Sequence, residues 1–382
     1  MYIIFDGRQI KNKYSGLARF TFSLLLKFIE FNQFDKLEIL VEKNIDLDKN
    51  EIFKYILGLK IEKITLTDID APLFNLYKGY NITRYVNKKN PDLYFHPHFD
   101  LPFGIKAKSI FVVHDVLSKK TFYHENENNF LSDFFYAIKK KRFIKNFIFN
   151  NYIKYNLKNN NINCIAVSNA TKLDLLEFID VKYENKIKVV YEASFDNTLL
   201  KSEDSNVFEN KIFENRYILY VGDRRPHKNL KKMIDIFIEL NKIDKNLFFY
   251  IVGSKEKIYF DYEFYINSLK NENILLFHNI SDELLEIFYK KSEVFFFLSK
   301  HEGFGLPLLE AAKFNKKIIT SNRSSMYEIS PKTSLFLDPY IKEDIAAETI
   351  SSYLKNDILI DNESYISNFS WELAMKEIFY NG

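Results

Sequence analysis

The chain has 382 residues, 47% of them hydrophobic and 27% charged, which excludes a disordered protein and leaves room for two cores. Its 54 basic and 51 acidic side chains leave a net charge of +3, so nothing global argues for wrapping nucleic acid. The one cysteine, Cys164, excludes an internal disulfide and fits a reducing compartment.

The opening MYIIFDGRQI lacks the basic-then-apolar order of a secretory signal and reads as a first strand. No apolar run reaches about eighteen residues, so no membrane-spanning helix is expected. Short apolar runs read as buried parallel strands, each followed by a polar turn and a helical pattern. In the first half these are Tyr2–Phe5, Leu37–Val41, Leu93–His96, Ser109–Val113 and Asn163–Val167. A polar, acidic stretch from Ala193 to Asn215 without sustained period is the expected linker. Beyond it the pattern restarts with Tyr217–Val221, Leu247–Val252, Ile274–Phe277, Val294–Leu298 and Lys317–Thr320. Strands alternating with helices over this length predict two doubly wound α/β domains, with ligands at the carboxyl ends of the strands.

The strongest chemical signal is SKHEGFGLPLLEAA, Ser299–Ala312, after the run Val294–Leu298. Gly303 and Gly305 permit close backbone approach, and Pro307 suits the first turn of a helix. Amides around Phe304, Gly305 and Leu306 would then point from a helix N-terminus, a natural place for phosphate. Glu302 precedes this loop and Glu310 follows about two helical turns later. One carboxylate could meet a sugar hydroxyl and the other a ribose; the bland alternative is a turn with two solvated glutamates.

A second signal is YVGDRRPHKNLKKMIDIF, Tyr220–Phe237. Here Arg224, Arg225 and Lys228 crowd a short loop between strand and helix. A guanidinium fork beside an ammonium suits a diphosphate. Lys231 and Lys232 fit the solvent face of the helix.

These two segments closely resemble the retaining glycosyltransferases of family 4, which have the GT-B fold: two Rossmann-like doubly wound domains facing across a donor-binding cleft. Supporting matches are SGLARF, FVVHDV, IAVSNATKLDLLEF, TSNRSSMYEI and FSWELA. The resemblance implies an N-terminal domain over 1–195, a donor-side domain over 196–362, and a segment 363–382 crossing back to the first. It places Glu302 at the donor sugar and Glu310 at the ribose. Arg224 or Arg225, with Lys228, would bind the diphosphate, although His227 stands where many members have arginine. Gly16 and Arg19 in the SGLARF turn, and His114 with Asp115 after the strand Ser109–Val113, would approach the reacting sugar, the donor phosphate or the acceptor. His96 and His98 fit cleft walls on the acceptor side. A zinc cluster of His96, His98, His114 and Asp115 is the other reading, but Pro97 intervenes and no further Cys or His cluster accompanies it. No metal or other cofactor is expected.

The implied reaction moves a hexose from a nucleotide-diphosphate sugar to a glycan or lipid-linked acceptor, with retention and without a covalent nucleophile. The branch resembled is the mannosyltransferase-like one of bacterial surface-polysaccharide and lipopolysaccharide synthesis, with GDP-mannose the first choice of donor. UDP-hexoses and dTDP-rhamnose stay open. Two rivals stand beside it: a non-catalytic nucleotide-sugar-binding subunit, and another GT-B enzyme such as a nucleotide-sugar epimerase. A cytoplasmic location is expected. The stretch Lys139–Lys158, with seven basic residues, no acidic one and aromatics at helical spacing, is a candidate for contact with the inner face of the membrane. An ordinary packing helix with a lysine-rich face is the alternative.

Overall fold

The computed structural model describes residues 1–11, 16–43, 45–47, 50–71, 79–116, 142–194, 210–253, 261–278, 280–357 and 360–380. The chain divides into two compact units, Met1–Asp196 with Ser370–Gly382, and Asn197–Phe369.

The first unit is built on seven parallel strands: β1 (Tyr2–Asp6), β2 (Lys36–Glu42), β3 (Ile64–Ile69), β4 (Leu93–His96), β5 (Ser109–Val113), β6 (Ile162–Ala166) and β7 (Ile187–Val189). Their order in the sheet is β3-β2-β1-β4-β5-β6-β7. The order reverses between β1 and β4, which pair directly, Ile3 against Leu93 and Phe5 against Phe95. Helices α1 (Gly16–Phe31), α2 (Glu51–Gly58), α3 (Gly79–Lys89), α4 (Arg142–Lys158) and α5 (Asn169–Ile179) connect these strands.

The second unit repeats the plan with β8 (Arg216–Val221), β9 (Leu247–Val252), β10 (Ile274–Phe277), β11 (Val294–Phe297), β12 (Lys317–Ser321) and β13 (Leu335–Leu337), in the order β10-β9-β8-β11-β12-β13. Its helices are α6 (Leu230–Ile243), α7 (Tyr262–Leu269), α8 (Asp282–Lys291), α9 (Leu306–Lys313), α10 (Ser324–Ile329), α11 (Glu343–Lys355) and α12 (Glu363–Ile366), and α13 (Trp371–Phe379) belongs to the first unit. Helices cover both faces of each parallel sheet, so central strands read as unbroken apolar runs. Val294, Phe295, Phe296 and Phe297 of β11 are all buried. Both units are Rossmann-like, the fold class expected.

Three strands escaped the sequence reading. β3 mixes Thr65, Thr67 and Asp68 among its apolar residues, because it lies at a sheet edge and is only partly covered. β7 and β13 have three residues each, too few for a pattern, and are the opposite edges.

The second unit runs to Phe369, not to the expected 362. Tyr365 donates to the Ile329 carbonyl, and the Phe369 and Phe304 rings lie 6.2 Å apart. Beyond them α13 returns to the first unit: the Trp371 indole donates to Ser194 O at 3.1 Å, and Phe379 packs on Phe28.

Candidate functional site

In the second unit the order of strands reverses between β8 and β11, and the loops following both strands lie side by side. Such a switch point is where open parallel sheets bind ligands. After β8, Gly222 passes so close to Gly253 that a Cβ on Gly253 would sit 2.0 Å from the Gly222 carbonyl oxygen. The chain then forms one 3-10 turn, Pro226–Lys228, closed by Asn229 in the left-handed region (φ 61°). Asn229 Nδ2 donates to Leu298 O at 3.1 Å and Pro339 O at 2.9 Å, and the Lys300 amide donates to His227 O at 2.7 Å. Side chain and backbone thus stitch the two loops into one surface.

On that surface Lys228 and Glu302 meet. The Lys228 ammonium lies 2.9 Å from both carboxylate oxygens, and both residues are buried. Burial, the largest single influence, raises the Glu302 carboxyl, but the charge and hydrogen bond of Lys228 together with His227 and the Ser299 hydroxyl hold it below its ordinary range. The Glu302 carbonyl accepts from Ser324 Oγ at 2.7 Å and Ser325 Oγ at 3.1 Å, fixing the loop to the start of α10. Gly305 then turns the chain into α9 with φ +107°, a conformation that favours glycine, and Leu306 and Pro307 begin the helix. Phe304 is buried. Glu310 lies on α9, where its carboxylate accepts from Tyr289 Oη at 2.7 Å.

The two arginines part company. Arg225 is 45% exposed and folds back on Asp223, with Nε and Nη2 at 2.9 and 2.7 Å from Oδ2. Although burial works against its charge, Asp223 is held at about 2 by Arg225 and Lys228. Arg224 is buried, its Nη2 3.3 Å from His278 Nε2, while His278 Nδ1 lies 3.0 Å from Gly253 O.

The first unit gathers its candidates at the matching reversal between β1 and β4. His96 is wholly buried, with Nδ1 2.9 Å from Asp6 Oδ2 and Nε2 2.9 Å from Asp100 Oδ1. Two carboxylates on one imidazole require both nitrogens to donate, so His96 is a cation; the carboxylates lift it above its ordinary value against the effect of burial. Arg8 grips Asp6 through Nε and Nη2 at 2.9 and 2.8 Å and donates to Ala71 O. His98 meets Asp100 at 2.7 Å, and burial lowers it. His96 is therefore enclosed within a buried ionic network, not placed on an open wall.

His114 follows β5. Its Nδ1 lies 2.9 Å from Glu192 Oε1 and its Nε2 2.9 Å from Pro97 O, with the Phe20 ring edge-on at 4.6 Å. Burial, the largest single influence, opposes its charge, but Glu192, with the Pro97 carbonyl and Asp115, raises it above its ordinary value. Asp115 is partly exposed beside it. Gly16 opens α1 with nothing within 4 Å of a Cβ built there, and Arg19 sits partly exposed in the same turn. Ser15 of the same motif lies outside the described residues, as do 139–141 of the basic stretch. The rest of that stretch forms α4, which buries Phe149, Tyr152, Ile153 and Leu157 and exposes Tyr155.

Sequence reasoning missed Asp6, Arg8, Asp100, Glu192 and Tyr289. Asp6 and Arg8 were findable as charged residues just past a first strand, and Asp100 as an acid two residues from His98. Glu192 and Tyr289 carry no local signal, being brought in by tertiary packing alone. Among the described residues no group of three or more His, Cys, Asp or Glu side chains is arranged to hold a metal ion, and no helix is long and apolar enough to cross a membrane.

Two parallel-sheet units of this design, each with its loops at a strand-order reversal, define the GT-B class. The chain has the fold of sucrose-phosphate synthase from Thermosynechococcus elongatus, with TM-score 0.68 and 13% identity, covering 99% of this chain and 97% of that one. Residues 202–368, which fall in the second unit, match the family described as Glycosyl transferases group 1. The chain is also similar to the O-antigen chain mannosyltransferase RfbU of Salmonella typhimurium, 27% identical over 193 residues, which are 49% of this chain and 51% of the relative. With O-antigen chain mannosyltransferase B of Escherichia coli it shares 26% identity over 164 residues, 41% of this chain and 42% of that protein. The chain thus spans about half, or less, of the length of these relatives.

Proposed function

We propose that this protein is a retaining glycosyltransferase that moves a hexose from a nucleotide-diphosphate sugar to a glycan or lipid-linked acceptor in surface-polysaccharide synthesis. The observation that carries the reading is the Lys228–Glu302 pair on the joined loops after β8 and β11, within the residues that match Glycosyl transferases group 1. The matches to O-antigen chain mannosyltransferases support mannose as the sugar, and GDP-mannose is the donor proposed.

In this reading the second unit binds the donor. Arg224, Arg225 and Lys228 supply positive charge, and the backbone at Phe304, Gly305 and Leu306 supplies amide dipoles, for the diphosphate that leaves as the sugar is transferred. Glu302 meets the sugar and Glu310 the ribose. The C–O bond to the donor phosphate breaks while the acceptor oxygen bonds the anomeric carbon on the same face. The acceptor proton passes to the departing phosphate oxygen. Gly16, Arg19, His96, His98, His114 and Asp115 serve the acceptor side; His96 acts there through Asp100 and His98. The transfer needs no bound metal, because fixed cations and helix amides handle the phosphate charge. The enzyme works in the cytoplasm, with α4 and the basic residues before it resting on the inner face of the membrane.

A thermal-shift panel of GDP-, UDP- and dTDP-sugars tests the reading, repeated with Glu310→Ala and Lys228→Ala and followed by a transfer assay. Stabilisation by GDP-mannose that both substitutions abolish is the expected result. If no nucleotide sugar stabilises the native chain, the donor site is lost. Tight binding without turnover would leave a binding subunit in place of an enzyme.

A further inference from the structure

Buried polar side chains in folded proteins nearly always have hydrogen-bond partners, and those without one need a reason. In the second unit, Arg224 Nε and His227 Nε2 are buried and have no hydrogen bond among the described residues, and they lie on the same loops as Ser299 Oγ, which sits at the Glu302 carboxylate, and Glu302 Oε1, 2.9 Å from the Lys228 ammonium. All four sit on the two loops after β8 and β11. His227 is 4% exposed, Ser299 0% and Glu302 7%, so water does not reach them as it would a surface group. None of these residues is an accident of a loose loop: the Lys300 amide holds the His227 carbonyl, and Asn229 ties the same turn to Leu298.

The local charge limits what could satisfy them. Lys228 and Glu302 cancel one another at 2.9 Å. Burial pushes the His227 imidazole down to about 4, so it is neutral at working pH, and Ser299 carries no charge. The spot is therefore polar but without net charge, with a carboxylate at its centre. A phosphate oxygen placed directly against the Glu302 carboxylate would be repelled by it, so the diphosphate belongs with Lys228, Arg224 and Arg225 and not at His227 and Ser299. A hydroxyl group is not repelled. It donates to the carboxylate and can donate to or accept from an imidazole and a serine.

We propose that His227, together with Ser299, binds hydroxyl groups of the transferred sugar beside Glu302 and is a specificity residue for that sugar, not a ligand of the diphosphate. This rests on the donor-site reading above and adds two residues to it. The consequence is a division of labour within one turn: Arg224 and Arg225 lie before Pro226, and the uncharged reader lies after it.

The test is calorimetric titration of the intact chain with GDP, UDP and dTDP and with GDP-mannose, UDP-glucose and dTDP-rhamnose, carrying forward the nucleotide that binds. His227→Leu is expected to leave the Kd for the free nucleoside diphosphate within about twofold and to raise the Kd for its sugar conjugate about tenfold. Ser299→Ala should act in the same direction, and His227→Asn, which keeps a donor and an acceptor, should lie between His227→Leu and the native chain. Equal weakening of nucleotide and nucleotide sugar would place His227 at the diphosphate and overturn the proposal. Unchanged affinities would overturn it too. Should His227→Leu fail to fold by circular dichroism, Ser299→Ala and His227→Asn decide by the same comparison. A native chain that binds none of the six compounds refutes the donor-site reading itself, a result distinct from any effect of His227.

Discussion

Lys228 and Glu302 lie 74 positions apart in sequence, yet the Lys228 ammonium sits 2.9 Å from the Glu302 carboxylate in a buried pair. The sequence reading had assigned them to different parts of the donor, phosphate and sugar. Their contact makes them one electrostatic unit, so neither can be altered alone without stranding the other's charge.

Removing Lys228 should therefore cost more than removing the charge on Glu302. Lys228→Met leaves a buried carboxylate unpaired, and breaking such pairs costs about 3 kcal/mol or more. Glu302→Gln keeps a polar neighbour for the ammonium and is expected to cost less. Urea unfolding of the second unit, followed by tryptophan-independent circular dichroism, gives the comparison. Small losses in both variants would mean that the pair is not electrostatically closed.

The two arginines are expected to separate in the same way. Arg225 is paired with Asp223 at the surface, where such pairs contribute less than about 1 kcal/mol. Arg225→Ala should barely move the melting temperature, whereas Arg224→Ala, which empties a buried position against His278, should lower it clearly. Differential scanning fluorimetry on the two variants decides.

The first unit should be most stable in mildly acidic solution. His96 and His114 are raised above their ordinary 6.5, so their contribution is complete below that value and is lost as pH climbs through their raised values. Asp6 and Asp100 are lowered from 3.8, so theirs is present above that value and lost as pH falls through the lowered ones. Melting temperature is thus expected to fall from pH 6 toward pH 9, and Glu192→Gln should flatten the part of that slope that belongs to His114. An unchanged slope in Glu192→Gln would remove the carboxylate as its cause.

Two glycines should behave oppositely. Gly253→Ala puts a Cβ 2.0 Å from the Gly222 carbonyl oxygen, backbone that has no side-chain freedom to yield. Loss of soluble protein or a large drop in melting temperature is expected. Gly16→Ala meets nothing within 4 Å and begins a helix, so its stability should stay within about 1 kcal/mol of native. A turnover loss in stable Gly16→Ala would then report on substrate approach and not on folding.

The alternation of apolar runs and helical patterns was sufficient for two Rossmann-like units, because strands buried on both faces must be apolar throughout. The sheet edges β3, β7 and β13 were not legible, since partial cover and short length erase that pattern. EGFGLP and RRPHK marked the two loops of the donor side, because their glycine, proline and charge spacing is local chemistry. Their partners were another matter. That Arg225 is bound to Asp223 and Arg224 turned to His278 depends on which way adjacent side chains point, and adjacency in sequence does not decide it.

By itself, then, the sequence determined the class of fold, the loops that carry function and the residue types available there, all of which follow from periodicity and short-range spacing. Only the tertiary structure decided pairing: His96 between Asp6 and Asp100, His114 on Glu192, Lys228 on Glu302. The physical reason is that parallel strands bring their carboxyl ends together across long crossovers. A charge therefore finds its counter-charge by strand order and burial, neither of which is written in the neighbouring residues.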